Sequence, residues 1–298
     1  MAYTTSELLA KVKLWGAVPA SQPAFTDAQL LGLLTDELWS NVAPFIMQFR
    51  EEFFVTYQDF TITTGTRGYN IPTRTVNGVL REIKTVNSSG DEFDIPRVSP
   101  ERTQRSSYGF YLENNKVYLI ENDSYTDRTL RMYYYRRPSE LVETTDCAQV
   151  TSVGTTTFDV SAIPSAMVSG ETVDIVQATP PFNILSQDIT ATWVGTTVTP
   201  SSMPTGLAVG DWMCKDQESC IAQIPLETQP LLVQAVVVRI NEILDDAKGL
   251  KLSTEKYDKI KESLRELISP RVVGETKAII NDEDFFYGNM YSNKYNWI

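Results

Sequence analysis

Histidine is missing altogether from the 298 residues. It is the usual general base near neutral pH and the commonest metal ligand. Without it there is no Ser-His-Asp or Cys-His nucleophile system, and most zinc and non-haem iron sites are excluded. Cysteine is scarce: Cys147, Cys214 and Cys220 are three, an odd number, at a spacing that fits neither a disulfide framework nor a zinc motif. Reduced thiols in a reducing compartment are expected, with no third ligand near Cys214 and Cys220. No apolar run reaches the roughly 18 residues of a membrane span. The start, Met1 to Glu7, has neither a basic n-region nor an apolar h-region, so a cytoplasmic protein is expected. A basic excess is absent too. With 26 Lys and Arg against 38 Asp and Glu the net charge is −12, which argues against a reader that grips phosphates. No cofactor, metal or catalytic residue is expected.

The charge is unevenly placed. Glu143–Cys220 holds nine acids and one base, whereas Phe53–Leu141 holds eleven acids and twelve bases. Such a shift marks a module boundary. Arg97, Arg102, Arg105, Arg128, Arg131, Arg136 and Arg137 make the middle locally basic. With acids interspersed, they read as solvated or inter-subunit salt-bridge residues. Gly65-Thr66-Arg67-Gly68 lacks the Gly-Lys-Ser/Thr ending of a phosphate loop.

Periodicity changes twice along the chain. Leu8, Val12 and Trp15 recur at helical spacing, and Thr26 or Asp27 can cap a second helix carrying Leu30, Leu31, Leu34, Leu38, Val42 and Ile46. Pro44 should kink or split that helix. From Phe53 to Tyr135 the pattern is β: aromatic and β-branched stretches separated by turn signals at Thr64-Gly65, Asn77-Gly78, Ser89-Gly90-Asp91 and Asn114-Asn115. Val153-Gly154-Thr155-Thr156 recurs as Val194-Gly195-Thr196-Thr197, each copy followed by a proline, Pro164 or Pro204. Two copies are too few for a solenoid; two strand-turn-strand halves closing a small sandwich or barrel are expected. Helix returns with Thr228 as a cap, Pro230 in the first turn and a run, Leu231–Val238, apolar almost all round. Gly249 reads as a C-cap, Ser253 or Thr254 as the start of a last helix, and Asp245-Asp246 as a solvated pair late in the helix before it.

The chain ends differently. After Pro270 amphipathicity is lost, and Asp282-Glu283-Asp284 precedes six aromatics: Phe285, Phe286, Tyr287, Tyr291, Tyr295 and Trp297. Aromatics are enriched among interface anchors, so Asp282 to Trp297 is read as a docking arm. The organisation expected is an α+β subunit. Residues 1–141 and 221–269 form a helical bundle with the first β region, 142–220 an inserted acidic β domain, and 270–298 an extended arm.

The order of parts resembles the head-to-tail adaptors of tailed bacteriophages, the connector or ring proteins also called tail tubular protein A. The stretches that carry the resemblance are Leu130-Arg131-Met132-Tyr133-Tyr134-Tyr135-Arg136-Arg137-Pro138, and Ile224-Pro225-Leu226 through Pro230-Leu231-Leu232-Val233-Gln234-Ala235. They are soft patterns covering roughly 1–141 and 221–298. The resemblance implies a homo-oligomeric ring, usually of twelve, in the virion neck, assembled in the host cytoplasm. Its partners would be the portal protein and a tail, nozzle or second adaptor protein. Genomic DNA would pass through without sequence-specific binding, and no membrane would be involved. The arm would meet the portal. Two rivals remain. One is a tail-completion or baseplate protein. The other is a carbohydrate-binding module or histidine-free glycosidase, supported only by the acidic β unit with Trp193 and Trp212.

Overall fold

A computed structural model describes residues 3–18, 25–99, 108–120 and 128–268. The whole proposed arm, Asp282, Glu283, Asp284, Phe285, Phe286, Tyr287, Tyr291, Tyr295 and Trp297, lies outside the described residues, as do Arg102 and Arg105.

Two capping boxes set the N-terminal helices. The Thr4 hydroxyl accepts the Glu7 N–H and the Glu7 carboxylate takes the Thr4 N–H, opening α1 (Thr5–Trp15). Thr26 and Gln29 repeat the arrangement before α2 (Asp27–Glu37). Each box satisfies N–H groups that a helix start leaves unpaired. α2 continues through a π-turn at Leu38–Val42 into α3 (Ala43–Phe49). Pro44 has no N–H to donate to an intrahelical bond, and the helix accommodates it with the wider turn just before, closed by the Ala43 N–H on the Leu38 carbonyl.

At the other end, α4 (Gln229–Ile243) and α5 (Ala247–Leu267) are antiparallel neighbours. Three local expectations are corrected here. Thr228 does not cap α4; its hydroxyl donates to the Pro225 carbonyl. Gly249 is no C-cap, because α5 begins before it. Asp246 is exposed, as a solvated acid should be, but it does not lie late in a helix: it is the N-cap of α5, accepting the N–H groups of Lys248 and Gly249. There its negative charge complements the helix dipole. One hydrophobic cluster joins Leu8 and Val12 of α1, Leu30 and Leu34 of α2, Ile46 of α3, Leu232 and Val236 of α4 and Leu264 of α5.

The middle region forms two sheets. The first has the order β1 (Val55–Thr61), β7 (Thr129–Arg136), β3 (Thr75–Val86), β4 (Glu92–Asp94). The second has β2 (Gly68–Asn70), β6 (Lys116–Ile120), β5 (Gly109–Glu113). A second hydrophobic cluster takes Leu130, Met132 and Ile83 from the first and Tyr69, Val117, Leu119 and Phe110 from the other. Asn114-Asn115 makes the β5–β6 hairpin turn, both residues left-handed with φ of 49° and 58°. Asn77-Gly78 does not turn the chain. It lies inside β3 with φ of 51° and 68°, where the register against β7 shifts between Thr75 and Leu80. The same left-handed preference that makes a hairpin turn also makes a bulge.

Residues after β8 (Glu140–Leu141) build a closed barrel of β9 (Ala148–Val153), β10 (Phe158–Val160), β11 (Thr172–Val176), β12 (Ile184–Val194), β13 (Thr197–Pro200) and β14 (Trp212–Lys215). The order around it is β10-β13-β12-β11-β14-β9, so exchanging β9-β10-β11 for β12-β13-β14 leaves the neighbours unchanged. Residues 40 positions apart pair directly at both seams, Phe158 with Val198 and Asp174 with Cys214. The repeat in the sequence is therefore a pseudo-twofold axis through the barrel, and the two Val-Gly-Thr-Thr copies occupy equivalent hairpins. The interior holds Val150, Phe158, Val173, Ile175, Ala191, Val198 and Met213. The chain leaves through β15 (Glu218–Ser219), which runs parallel to β8, so the barrel is entered and left side by side.

Candidate functional site

The base of the barrel is pinned to the first sheet by one arginine. Arg74 lies between β2 and β3, where Pro72 and Thr73 hold the chain in a tight turn closed by the Thr75 N–H on Pro72. Its guanidinium meets Asp174 of β11 with two bonds, Nη1 to Oδ2 at 2.6 Å and Nη2 to Oδ1 at 2.8 Å. It also reaches Asp188 at 2.7 Å, and Asp216. The planar fork of arginine is what makes this bidentate match with a carboxylate. Asp174 is fully buried and accepts the backbone N–H groups of Asp188 and Gln217, each at 3.1 Å. Asp188 and Gln217 are themselves left-handed, with φ of 56° and 64°. The backbone is thus bent to aim two N–H groups at one carboxylate.

Burial dominates the electrostatics. It pulls the Arg74 guanidinium down, but the hydrogen bonds and charge of Asp174 and then Asp188 outweigh it and hold Arg74 charged. Burial raises Asp174, and Arg74 offsets only part of that. Burial and the neighbouring Asp216 raise Asp188. Burial thus raises the proton affinity of Asp174 and Asp188. At Asp216 burial is outweighed by hydrogen bonds from Asp188 and Gln217 and by the charge of Arg74, so it moves the other way, and the arginine stays cationic. Arg136, beside them on β7, is buried and pushed down to about 10 by desolvation, with the charge of Arg74 adding to the effect. Its Nε has no partner. The expectation of a solvated or inter-subunit Arg136 is corrected: as the last residue of β7 it takes the inward side of the alternation after Tyr134. The Tyr134 hydroxyl accepts from Gln187 of β12 at 3.2 Å, a second tie between sheet and barrel.

A different group lies against the same wall. Cys147, Cys214 and Cys220 are all buried, and their sulfurs lie within 4.8 Å of one another. This corrects the expectation that Cys214 and Cys220 have no third ligand near them. Cys147 immediately precedes β9, and β9 pairs with β14 through Ala148 and Met213. The register therefore delivers Cys147 beside Cys214, which 66 residues of intervening chain conceal in the sequence. Burial drives the Cys214 and Cys220 thiols well above their ordinary range, and the thiol contacts and burial together do the same to Cys147.

The outward face of the first sheet carries a ladder of charge and aromatic rings. Arg131 bonds Asp59 and Glu92 at 2.8 Å, and its guanidinium sits 4.0 Å from the centre of the Tyr57 ring. Tyr133 donates to Glu92 at 2.6 Å and packs against Tyr57. Hydrogen bonds from Tyr133 and then Arg131 hold the Glu92 carboxyl down at about 2. Arg131 is thus tied within the subunit. A cavity of about 570 Å³ lies beside this sheet and is walled by Leu80, Ile83, Ile95, Phe110 and Leu112, with Lys84.

Two sequence readings change in this light. Trp212 is buried beside Phe182 and the cysteines, so it offers no face for stacking a sugar, and Trp193 is half-buried against the barrel interior. The acidity of 143–220 is also partly internal. Asp174, Asp188 and Asp216 answer Arg74; Asp211 accepts the N–H groups of Ala178 and Ala208; Asp159 accepts the hydroxyls of Ser152 and Thr197. With Glu143 accepting the Thr145 hydroxyl and Glu171 the Val168 N–H, seven of the nine acids accept hydrogen bonds within the subunit.

Among the described residues no helix is long and apolar enough to cross a membrane. A comparison with protein families finds that residues 3–168 match the model described as SU10 adaptor protein. The match takes in α1 to α3, both sheets and the first two barrel strands, and ends before β11. No curated protein matches the chain.

Proposed function

Since the chain belongs to the SU10 adaptor protein family, a family of phage adaptors, we propose that it forms a ring in the virion neck joining portal to tail, with DNA passing through. The family match over 3–168 is the observation that carries this reading. Twelve subunits is the number the resemblance implies. In the ring the N- and C-terminal helices act as one bundle, the frame of each subunit. Residues 142–220 form an inserted barrel domain held to that frame by Arg74. Residues 270–298 form the arm that docks on the portal, with Asp282, Glu283 and Asp284 setting register against basic residues and Phe285, Phe286, Tyr287, Tyr291, Tyr295 and Trp297 as anchors.

Physical chemistry supports the arm. Burying one large apolar side chain stabilises by roughly 1.5–3 kcal/mol, and ring repetition multiplies weak contacts into a stable joint. The test is electron microscopy of the full chain with its portal, alongside a chain lacking 282–298. The full chain is expected to form portal-capped rings, and the truncated chain to stay folded and lose the portal. Unchanged portal binding by the truncated chain removes the arm from the proposal. A monomeric full chain that ignores the portal removes the ring, and favours a tail-completion or baseplate role.

A further inference from the structure

We propose that Cys147, Cys214 and Cys220 form a binding site for a trivalent thiophilic centre, with arsenous acid as the probe that reveals it. Three sulfurs on one pyramidal trivalent centre, at bonds of about 2.3 Å with roughly 95–100° between them, lie about 3.5 Å apart. The three thiols already lie within 4.8 Å of one another, so no pair needs to close by more than about 1.3 Å. All three are buried, two of them fully, and they sit in a cluster with Val176, Phe182, Trp212 and Ile221. Soft sulfur ligands select soft guests.

Charge decides which soft guest. The cysteines' cluster is apolar, and the nearest acid across the strand pair, Asp174 opposite Cys214, is already engaged by Arg74. A zinc ion on three thiolates leaves one net negative charge in that apolar setting, and a monovalent copper leaves two. Uncompensated buried charge is costly. Zinc also wants a fourth ligand, and among the described residues the group that the cysteines form contains none. A trivalent centre leaves no charge. One arsenous acid, As(OH)₃, condenses with three thiols; three S–H and three As–O bonds break, three S–As bonds form, and each hydroxyl leaves with a thiol hydrogen as water. Nothing is oxidised or reduced, and a neutral site stays neutral.

The site lies where the barrel meets the rest of the subunit. Cys147 precedes the first barrel strand, Cys214 is in the last, and Cys220 follows β15. A bound centre would close the barrel's two chain ends on each other and stabilise the folded form by mass action.

The experiment uses the full chain, reduced with a phosphine, incubated with arsenous acid long enough for the buried cluster to open. Native mass spectrometry is expected to show one arsenic gained and three hydrogens lost per chain. All three thiols should become unreactive to a thiol reagent, and the melting temperature should rise. X-ray absorption at the arsenic edge is expected to read three sulfur neighbours. Cys147→Ala, Cys214→Ala and Cys220→Ala should each weaken binding at least tenfold. Two sulfurs and one oxygen at arsenic, or a single variant with the parent's affinity, overturns the three-thiol site. Tighter binding of zinc than of arsenous acid overturns the charge argument. Because the absorption measurement uses the unaltered chain, a variant that fails to fold does not rescue the proposal.

Discussion

A guanidinium surrounded by three carboxylates is stable only while all the partners remain, and Arg74 is the member without a substitute. Removing one side of a buried ion pair typically costs about 3–5 kcal/mol, because the remaining charge is left unanswered. Arg74→Met is therefore expected to lower stability by about that amount, read as a shift of the urea midpoint. The pH dependence follows from the direction of the shifts. Asp174 and Asp188 are raised above 3.8 in the folded chain. Their titration contributes stability that is fully present below that value and lost as pH rises through the raised ones. Without Arg74 the carboxylates rise further, so the Arg74→Met deficit should shrink in acid and be largest at neutral pH. A deficit that stays constant between pH 4 and pH 7 would mean that the charge of Arg74 is not what holds the junction. Glu92 has the opposite sign: held at about 2, it contributes above its ordinary 4.5, and that contribution is lost as pH falls through about 2.

Among the elements, turns and caps carry the sharpest expectations. Gly78 has φ of +68°, and a Cβ built there lies 3.2 Å from the Asn115 side chain, which sits in the other sheet's hairpin. An L-residue in the left-handed region costs roughly 1–2 kcal/mol. Gly78→Ala should destabilise by about that much, measured by chemical denaturation, with the helical circular dichroism unchanged before unfolding. Asp246→Ala removes the acceptor for two N–H groups at the start of α5. Loss of such a cap costs about 1 kcal/mol; hydrogen exchange should show it as faster exchange at Lys248 and Gly249, while α1 is unaffected.

For the whole molecule, the decisive geometry is that β8 and β15 lie side by side, so the barrel is joined to the rest by adjacent strands. Replacing 148–215 with a short flexible linker is expected to leave the cluster of Leu8, Leu34, Leu232 and Leu264 intact, seen as retained helical signal and a cooperative melt. Arg74 loses Asp174 and Asp188 in that deletion and keeps Asp216 alone, so Arg74→Met in the same background should cost far less stability than in the full chain. A deleted chain with no cooperative transition would make the barrel part of the folding unit. The closed barrel also leaves no strand edge of its own free for pairing. The first sheet ends on β1 and on the short, exposed β4.

Patterns local to the chain were readable without coordinates. The helical stripe of Leu30, Leu31, Leu34 and Leu38, the hairpin at Asn114-Asn115 and the doubled Val-Gly-Thr-Thr each follow from interactions within a few residues, or from a repeat of such interactions. The absence of histidine limited the chemistry on composition alone. Tertiary structure alone decided whatever depends on partners far apart in sequence. Asn77-Gly78 makes a bulge because β7 continues past it on the partner side. The three cysteines converge because β9 pairs with β14. Arg74 meets acids 100 to 142 residues away, so a barrel that reads as acidic surface turns part of its charge inward. Local propensity is set by a residue's own backbone and near neighbours. Burial and charge pairing are set by whichever segments the fold brings together.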